Sequence, residues 1–236
     1  MTTYKNQLFS HHRLFIIIYC LIAFMVIYSK LSDGRFLEYM FKPMLMPVLG
    51  LFYLVNAPRD YGKIGTLLLS ALFFSFLGDC LLMYSPVVKQ LFLGGMGAFA
   101  VAHVCYIMLF LWPKHEGQRH LLKKAPYILI PFALYGVSLL LMLWPKLGAF
   151  QWPVVAYSSI LLLMGVFALN RYKRVLGRSF LLVFLGALLF IISDSCIAIN
   201  RFYEPIPWAT LWIITTYALA QYLIVRGILI MQKTLD

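Results

Sequence analysis

The sequence predicts an all-α, polytopic membrane protein, a single bundle of eight transmembrane helices. Two measures of composition and one pattern lead there. Of 236 residues, 63% are hydrophobic and only 12% charged, against about 45–50% apolar and 25% charged in a soluble domain. Mean hydropathy is +0.87. The apolar residues gather in eight runs joined by short polar loops. With about 20 residues assigned to each crossing, little chain remains for a soluble domain. A net charge of +12 is also found in nucleic-acid binders. Here the basic residues sit in loops between apolar runs, which suits the anionic face of a membrane and excludes nucleic acid as the expected partner.

The runs are Leu14–Ser29, Pro43–Val55, Ile64–Tyr84, Leu91–Trp112, Pro126–Trp144, Phe150–Leu169, Ser179–Ile199 and Pro207–Ile230. Charges, Gly or Pro bound each of them, marking interfaces and helix ends. The first is followed by Lys30, Leu31, Ser32 and Asp33 with no small-x-small cleavage pattern, so it reads as a retained helix. The second is short and carries Pro43 and Pro47, which membrane helices tolerate where neighbours re-satisfy the freed carbonyl. With no long linker or low-complexity tract, residues 1–236 read as one transmembrane domain.

Loop charge orients the bundle. With eight spans, thirteen basic residues fall on the face that carries both termini: Lys5, Arg13, Arg59, Lys63, Lys114, Arg119, Lys123, Lys124, Arg171, Lys173, Arg174, Arg178 and Lys233. Six fall on the other: Lys30, Arg35, Lys42, Lys89, Lys146 and Arg201. The positive-inside rule then puts both termini in the cytoplasm. Short loops and the lack of Asn-x-Ser/Thr sequons favour a bacterial inner membrane over the endoplasmic reticulum.

A short internal match accompanies the pattern. Phe76-Leu-Gly-Asp79-Cys-Leu-Leu-Met aligns with Ile191-Ile-Ser-Asp194-Ser-Cys-Ile-Ala-Ile, and Phe99-Ala-Val-Ala-His103 with Tyr217-Ala-Leu-Ala-Gln221. The first pair lies on spans three and seven and the second on spans four and eight, as in a parallel four-plus-four repeat about an axis along the membrane normal.

Asp79 and Asp194 carry the sharpest chemical signal. Each Asp at mid-span costs about 2.5–3.5 kcal/mol to insert, an expense that a purely structural bundle does not require. One reading is a polar clamp between helices, Asp79 with His103. The other is a buried carboxylate pair for general acid and base work, or a proton relay in a transporter. His103 is the only histidine inside a span. One imidazole and two carboxylates are a thin set of metal ligands, and neither metal nor cofactor is expected. No mid-span lysine offers a Schiff base, and no Gly-x-Ser-x-Gly elbow offers a serine nucleophile. Lys42, Asn200 and Arg201, with Glu204 nearby, form a basic rim suited either to interface anchoring or to a lipid phosphate. Tyr106, Tyr217, Gln221 and Tyr222 add hydroxyl and amide groups at helical spacing, most often used between helices.

The segments Gly78-Asp79-Cys-Leu-Leu-Met, Gly97-Ala-Phe-Ala-Val-Ala-His103-Val-Cys-Tyr106, Ser193-Asp194-Ser-Cys-Ile-Ala-Ile-Asn200-Arg201-Phe202 and Tyr217-Ala-Leu-Ala-Gln221, together with Lys42-Pro43, resemble the YhhN-like lysoplasmalogenase family. The likeness covers nearly the whole chain. It implies an eight-span hydrolase that cleaves the vinyl ether bond of a lysoplasmalogen to a fatty aldehyde and a glycerophospho-alcohol, without a cofactor. Its partners would be a lysophospholipid substrate and bilayer lipid. The same resemblance implies Asp79 and Asp194 as acid and base, His103 and Gln221 as their respective orienting partners, and Lys42 or Arg201 near the phosphate. A vinyl ether breaks by protonation at carbon, which suits a carboxylic acid and a carboxylate in a dry pocket. The competing class is a proton-coupled transporter or flippase of a small lipid or amphiphile.

Overall fold

A computed structural model describes residues 2–32, 35–58, 60, 62–88, 90–112 and 121–234. Of the loop residues discussed above, Arg59, Lys89, Lys114 and Arg119, with His115 and His120, lie outside these. The described residues form helices and connecting turns, with no strand among them. The helices are α1 (Thr2–Leu31), α2 (Arg35–Phe41), α3 (Leu45–Asn56), α4 (Gly62–Tyr84), α5 (Gln90–Phe110), α6 (Leu121–Lys124), α7 (Leu129–Leu147), α8 (Gln151–Leu169), α9 (Gly177–Ala198) and α10 (Ala209–Gln232).

Among the described residues, six stretches are long and apolar enough to cross a membrane: Arg13–Lys30, Gly62–Tyr84, Gln90–Phe110, Pro126–Leu169, Gly177–Tyr203 and Ala209–Gln232. Pro126–Leu169, at 44 residues, reverses at Gly148, whose φ of +52° suits a residue without a Cβ, and so supplies both α7 and α8. The second apolar run is a special case. Its helix α3 has 12 residues and rises only about 18 Å, less than a hydrocarbon core of about 30 Å. Pro43 explains the shortness. It disfavours helical backbone at Lys42 and lacks an N–H, so α2 ends at Phe41 and the chain passes through a tight turn, Lys42–Met44, before α3 starts. Large apolar side chains cover the outside: Leu134, Leu141 and Phe36 are each about two-thirds exposed or more. In water that surface would aggregate, whereas lipid solvates it. The fold is therefore an all-α polytopic membrane bundle.

Lipid tails are as apolar as leucine, so helix pairs inside a bilayer hold by close packing and hydrogen bonds. Two antiparallel pairs do this through glycine. In α4 and α5, a Cβ on Gly78 would come within 2.5 Å of the Phe99 ring, and one on Gly95 within 2.7 Å of Leu82. In α9 and α10, a Cβ on Gly186 would lie 2.8 Å from the Ala220 carbonyl oxygen, and one on Gly227 would lie 3.0 Å from that of Ser179. The core runs between these pairs and is closed by α1, α3 and α8, with Leu68, Tyr106, Phe190 and Ile224 buried in it.

The α8–α9 loop departs from the simple picture of basic residues facing water. Arg171 is wholly buried, and Arg174 nearly so. Arg171 Nη2 donates to Ser179 Oγ at 3.0 Å and lies against Met231 Sδ, while the guanidinium sits 5.5 Å from the Phe110 ring. Arg174 Nη2 donates to the Leu111 carbonyl, which ties this loop to the end of α5. Burial, and secondarily the like charge of Arg174, pull the Arg171 guanidinium down to about 9.

Candidate active site

Asp79 is three-quarters of the way along α4, and Asp194 occupies the matching stretch of α9. Neither is served by its own hairpin. Tyr217 of α10 donates its hydroxyl to Asp79 Oδ2 at 2.7 Å, and Lys42 Nζ lies 3.8 Å from Asp79 Oδ1. Tyr157 of α8 donates to Asp194 Oδ2. His103 of α5 sets Nε2 3.1 Å from the Tyr157 hydroxyl and 3.5 Å from the same carboxylate oxygen. The pairing differs from the expected one. His103 lies beside Asp194 rather than Asp79, and Gln221 bonds to Tyr106 and Ser75 instead of a carboxylate.

The reason is helical phase. Gln221 lies one turn beyond Tyr217 on α10, and Ser75 one turn before Asp79 on α4. The two helices thus meet in successive rungs, Tyr217 with Asp79 and Gln221 with Ser75, the second at 3.1 Å. Tyr106 completes the lower rung by donating to Gln221 Oε1. Tyr106 and Gln221 thus bind helices together one turn away from the carboxylates.

An aromatic layer separates the two acidic groups. Phe190 packs edge-on to His103 at 4.8 Å and to Tyr217 at 5.4 Å, and Phe99 lies 5.9 Å from Tyr217. His103 Nδ1 is buried without a hydrogen bond among the described residues. A proton on Nε2 leaves only a lone pair unsatisfied at Nδ1 and aims the N–H at Tyr157 and Asp194.

Two cavities adjoin this layer. The first lies between α5, α7, α8 and α9. Its walls are apolar, with Met96, Leu139, Leu143 and Leu161 among them, and Asp194, Ser195, Tyr157 and Ser158 supply its polar groups. The second is lined by Lys30, Glu38, Lys42, Ser85, Asn200 and Arg201 along with mostly apolar residues. Leu82, Phe92 and Ile197 line both, so the two share a wall. The Arg201 guanidinium lies 4.2 Å from the centroid of the Phe92 ring. Asn200, in the wide turn Ile199–Tyr203 that ends α9, accepts from the Ile206 amide at 2.9 Å and holds the next loop in place. Among the described residues no three His, Cys, Asp or Glu side chains converge as metal ligands.

Thus Lys42, Asn200 and Arg201 meet at one cavity, Asp194 and Tyr157 at the other with His103 buried behind them, and Lys42 with Tyr217 holds Asp79. Sequence reading missed Tyr157 and Glu38. Tyr157 had a signal: it lies mid-span, away from the interfaces that explain most of the Trp and Tyr residues. Glu38 had none, since α2 lies outside every apolar run.

The YhhN family profile matches residues 37–228, a stretch that holds both carboxylates and every residue of the two polar clusters except Lys30. The chain is 36% identical over 180 residues to lysoplasmalogenase TMEM86B of pig, covering 76% of this chain and 70% of that one. It is 33% identical over 180 residues to lysoplasmalogenase TMEM86A of cattle, covering 74% and 68%. It is 27% identical over 175 residues to a membrane protein named YhhN in Escherichia coli O157:H7, covering 74% and 79%. No solved structure matches. With a profile match over most of its length and relatives aligned across the helices that build the site, this chain belongs to the YhhN family.

Proposed function

We propose that this chain hydrolyses the vinyl ether bond of a lysoplasmalogen, releasing a fatty aldehyde and a glycerophospho-alcohol. The observation that carries the proposal is Asp194. Its carboxylate opens onto the apolar cavity while held by Tyr157 and His103. That pairing suits an alkenyl chain with a proton donor at its reactive end. The names of the relatives at 32–36% identity support the same chemistry.

In this reading the alkenyl chain fills the apolar cavity, and the glycerol backbone lies at the wall shared with the polar one. Asp194 gives a proton to the alkenyl carbon beta to oxygen, and an oxocarbenium ion forms. The Asp79 carboxylate, fixed by Lys42 and Tyr217, stabilises the cation through the site's low dielectric. Water adds to the carbon, and its proton passes to Asp194, with Tyr157 and His103 as the relay behind it. The hemiacetal then collapses, the alcohol oxygen taking the hydroxyl proton. The sum is vinyl ether plus water giving aldehyde plus alcohol. In this reading the whole chain serves as one transmembrane domain of eight spans, the second a broken one built from α2, the Lys42–Met44 turn and α3 together, with both termini in the cytoplasm.

The test is hydrolysis by purified protein in detergent, with aldehyde as the readout. In D₂O one deuterium should appear on the aldehyde carbon next to the carbonyl, and ¹⁸O from water should enter the aldehyde. Asp194→Asn should abolish release with folding intact. Near-normal turnover in that variant removes Asp194 from the chemistry. Movement of intact lipid across a vesicle without cleavage would favour a transporter.

A further inference from the structure

The polar cavity holds a charge pattern that phosphate binding alone does not explain. Arg201, Lys42 and Lys30 would suffice for an anion, yet the same walls hold a carboxylate, Glu38. Its side chain is 11% exposed, and a carboxylate this far from water carries a desolvation cost that calls for a partner. The partner is Lys30, with Nζ 2.6 Å from Oε2. Lys30 is a poor permanent one: its side chain is 45% exposed, so its ammonium can return to water at small cost. The other cations have partners of their own. Lys42 is committed to Asp79, and Arg201, itself exposed, lies over Phe92, at the wall shared with the apolar cavity. The cavity therefore offers positive charge at the shared wall, beside the expected glycerol, and in the same lining a carboxylate whose cation is replaceable.

We propose that this cavity receives a zwitterionic phosphoammonium headgroup, and that Glu38 determines headgroup specificity. The inference rests on the hydrolase reading for the placement of the chain. The phosphate lies with Arg201 and Lys42, and the substrate ammonium displaces Lys30 from Glu38. A primary ammonium can donate hydrogen bonds to the carboxylate, and a quaternary one cannot. A headgroup that ends at the phosphate leaves Glu38 with Lys30 and adds negative charge to the cavity.

Binding of stable 1-O-alkyl lysolipids tests this without requiring turnover. Three probes share one alkyl chain and carry phosphoethanolamine, phosphocholine or a terminal phosphate, and each displaces a fluorescent lysolipid from purified protein in detergent. Wild type should bind the phosphoethanolamine probe about tenfold more tightly than the terminal phosphate, the size of one charge-assisted hydrogen bond. Glu38→Gln should erase that preference while leaving the terminal-phosphate affinity within about twofold. Lys30→Gln should keep or increase it, because the competitor is gone. If Glu38→Gln and Lys30→Gln weaken all three probes alike, the pair is only a clasp between α1 and α2 and the proposal fails. It fails equally if neither variant changes the preference. Preserved headgroup selectivity without vinyl ether cleavage would overturn the hydrolase reading and leave the headgroup site standing.

Discussion

Asp79 can be an electrostatic participant in catalysis or merely the counter-ion of Lys42, and a double-mutant cycle separates the two. Lys42 and Asp79 are 3.8 Å apart with side chains 15% and 6% exposed. At that distance an effective dielectric of about 20 gives an attraction of about 4 kcal/mol. The partial exposure of Lys42 screens some of this, so Asp79→Asn should cost about 3 kcal/mol, in the range for removing one partner of a buried pair. The asparagine oxygen still accepts from Tyr217, so that contact adds little. Lys42→Met should cost less, because a stranded carboxylate can take up a proton. In the double variant neither charge is left alone, and most of the loss should return. Thermal unfolding of the four proteins in one detergent measures the coupling, and aldehyde release from a lysoplasmalogen measures turnover. The catalytic role predicts that Asp79→Asn, with Lys42→Met, regains stability but stays inactive. Recovery of turnover along with stability would refute it and leave Asp79 as a clamp.

Tyr157→Phe removes the hydroxyl shared by Asp194 and His103 while keeping the ring; kcat should fall by about 10- to 100-fold, the worth of one hydrogen bond to a charged group, with KM little changed. Gly186→Ala places a methyl group 2.8 Å from the Ala220 carbonyl oxygen and should destabilise the α9–α10 pair by about 1–3 kcal/mol in thermal unfolding. Gly97→Ala, with open space around it, should be neutral in the same assay. Arg171→Met should be at least as stable as wild type at pH 7, because an apolar side chain replaces a buried cation and Ser179 keeps its bond to the Gly227 carbonyl. Burial holds the folded guanidinium down to about 9, well below its ordinary range in the unfolded chain. Wild-type stability should therefore rise with pH above about 9, and the advantage of the variant should shrink there; a growing gap would contradict the assignment.

Much of this molecule can be read from its residues, and the limits have physical causes. Apolar runs at membrane length locate α4, α5 and α7 to α10 closely, because only a closed hydrogen-bonded helix survives in lipid. The two aspartates stood out because intramembrane charge is expensive. Their partners did not follow from sequence. Which side chain reaches Asp79 depends on the rotation of α10 against α4, and the pairing with Tyr217 in place of His103 is invisible to any pattern within one helix. Arg171 escaped for a related reason: loop position suggests water, yet the close approach of Gly227 to Ser179 draws the end of α10 over the guanidinium. Glu38 lies on a short helix between runs, where hydropathy carries no information.

The exchange of partners between the two hairpins bears on biosynthesis. Asp79 enters the membrane early, in α4, but the hydroxyl that holds it arrives only later, with α10. Asp194, on α9, finds α5 and α8 already in place. A chain halted after α8 carries a carboxylate held by Lys42 alone and lacks the second acid altogether. The polar layer closes only when α10 docks, so a product truncated before it lacks part of the proposed acid–base site and cannot attack the bilayer that holds it.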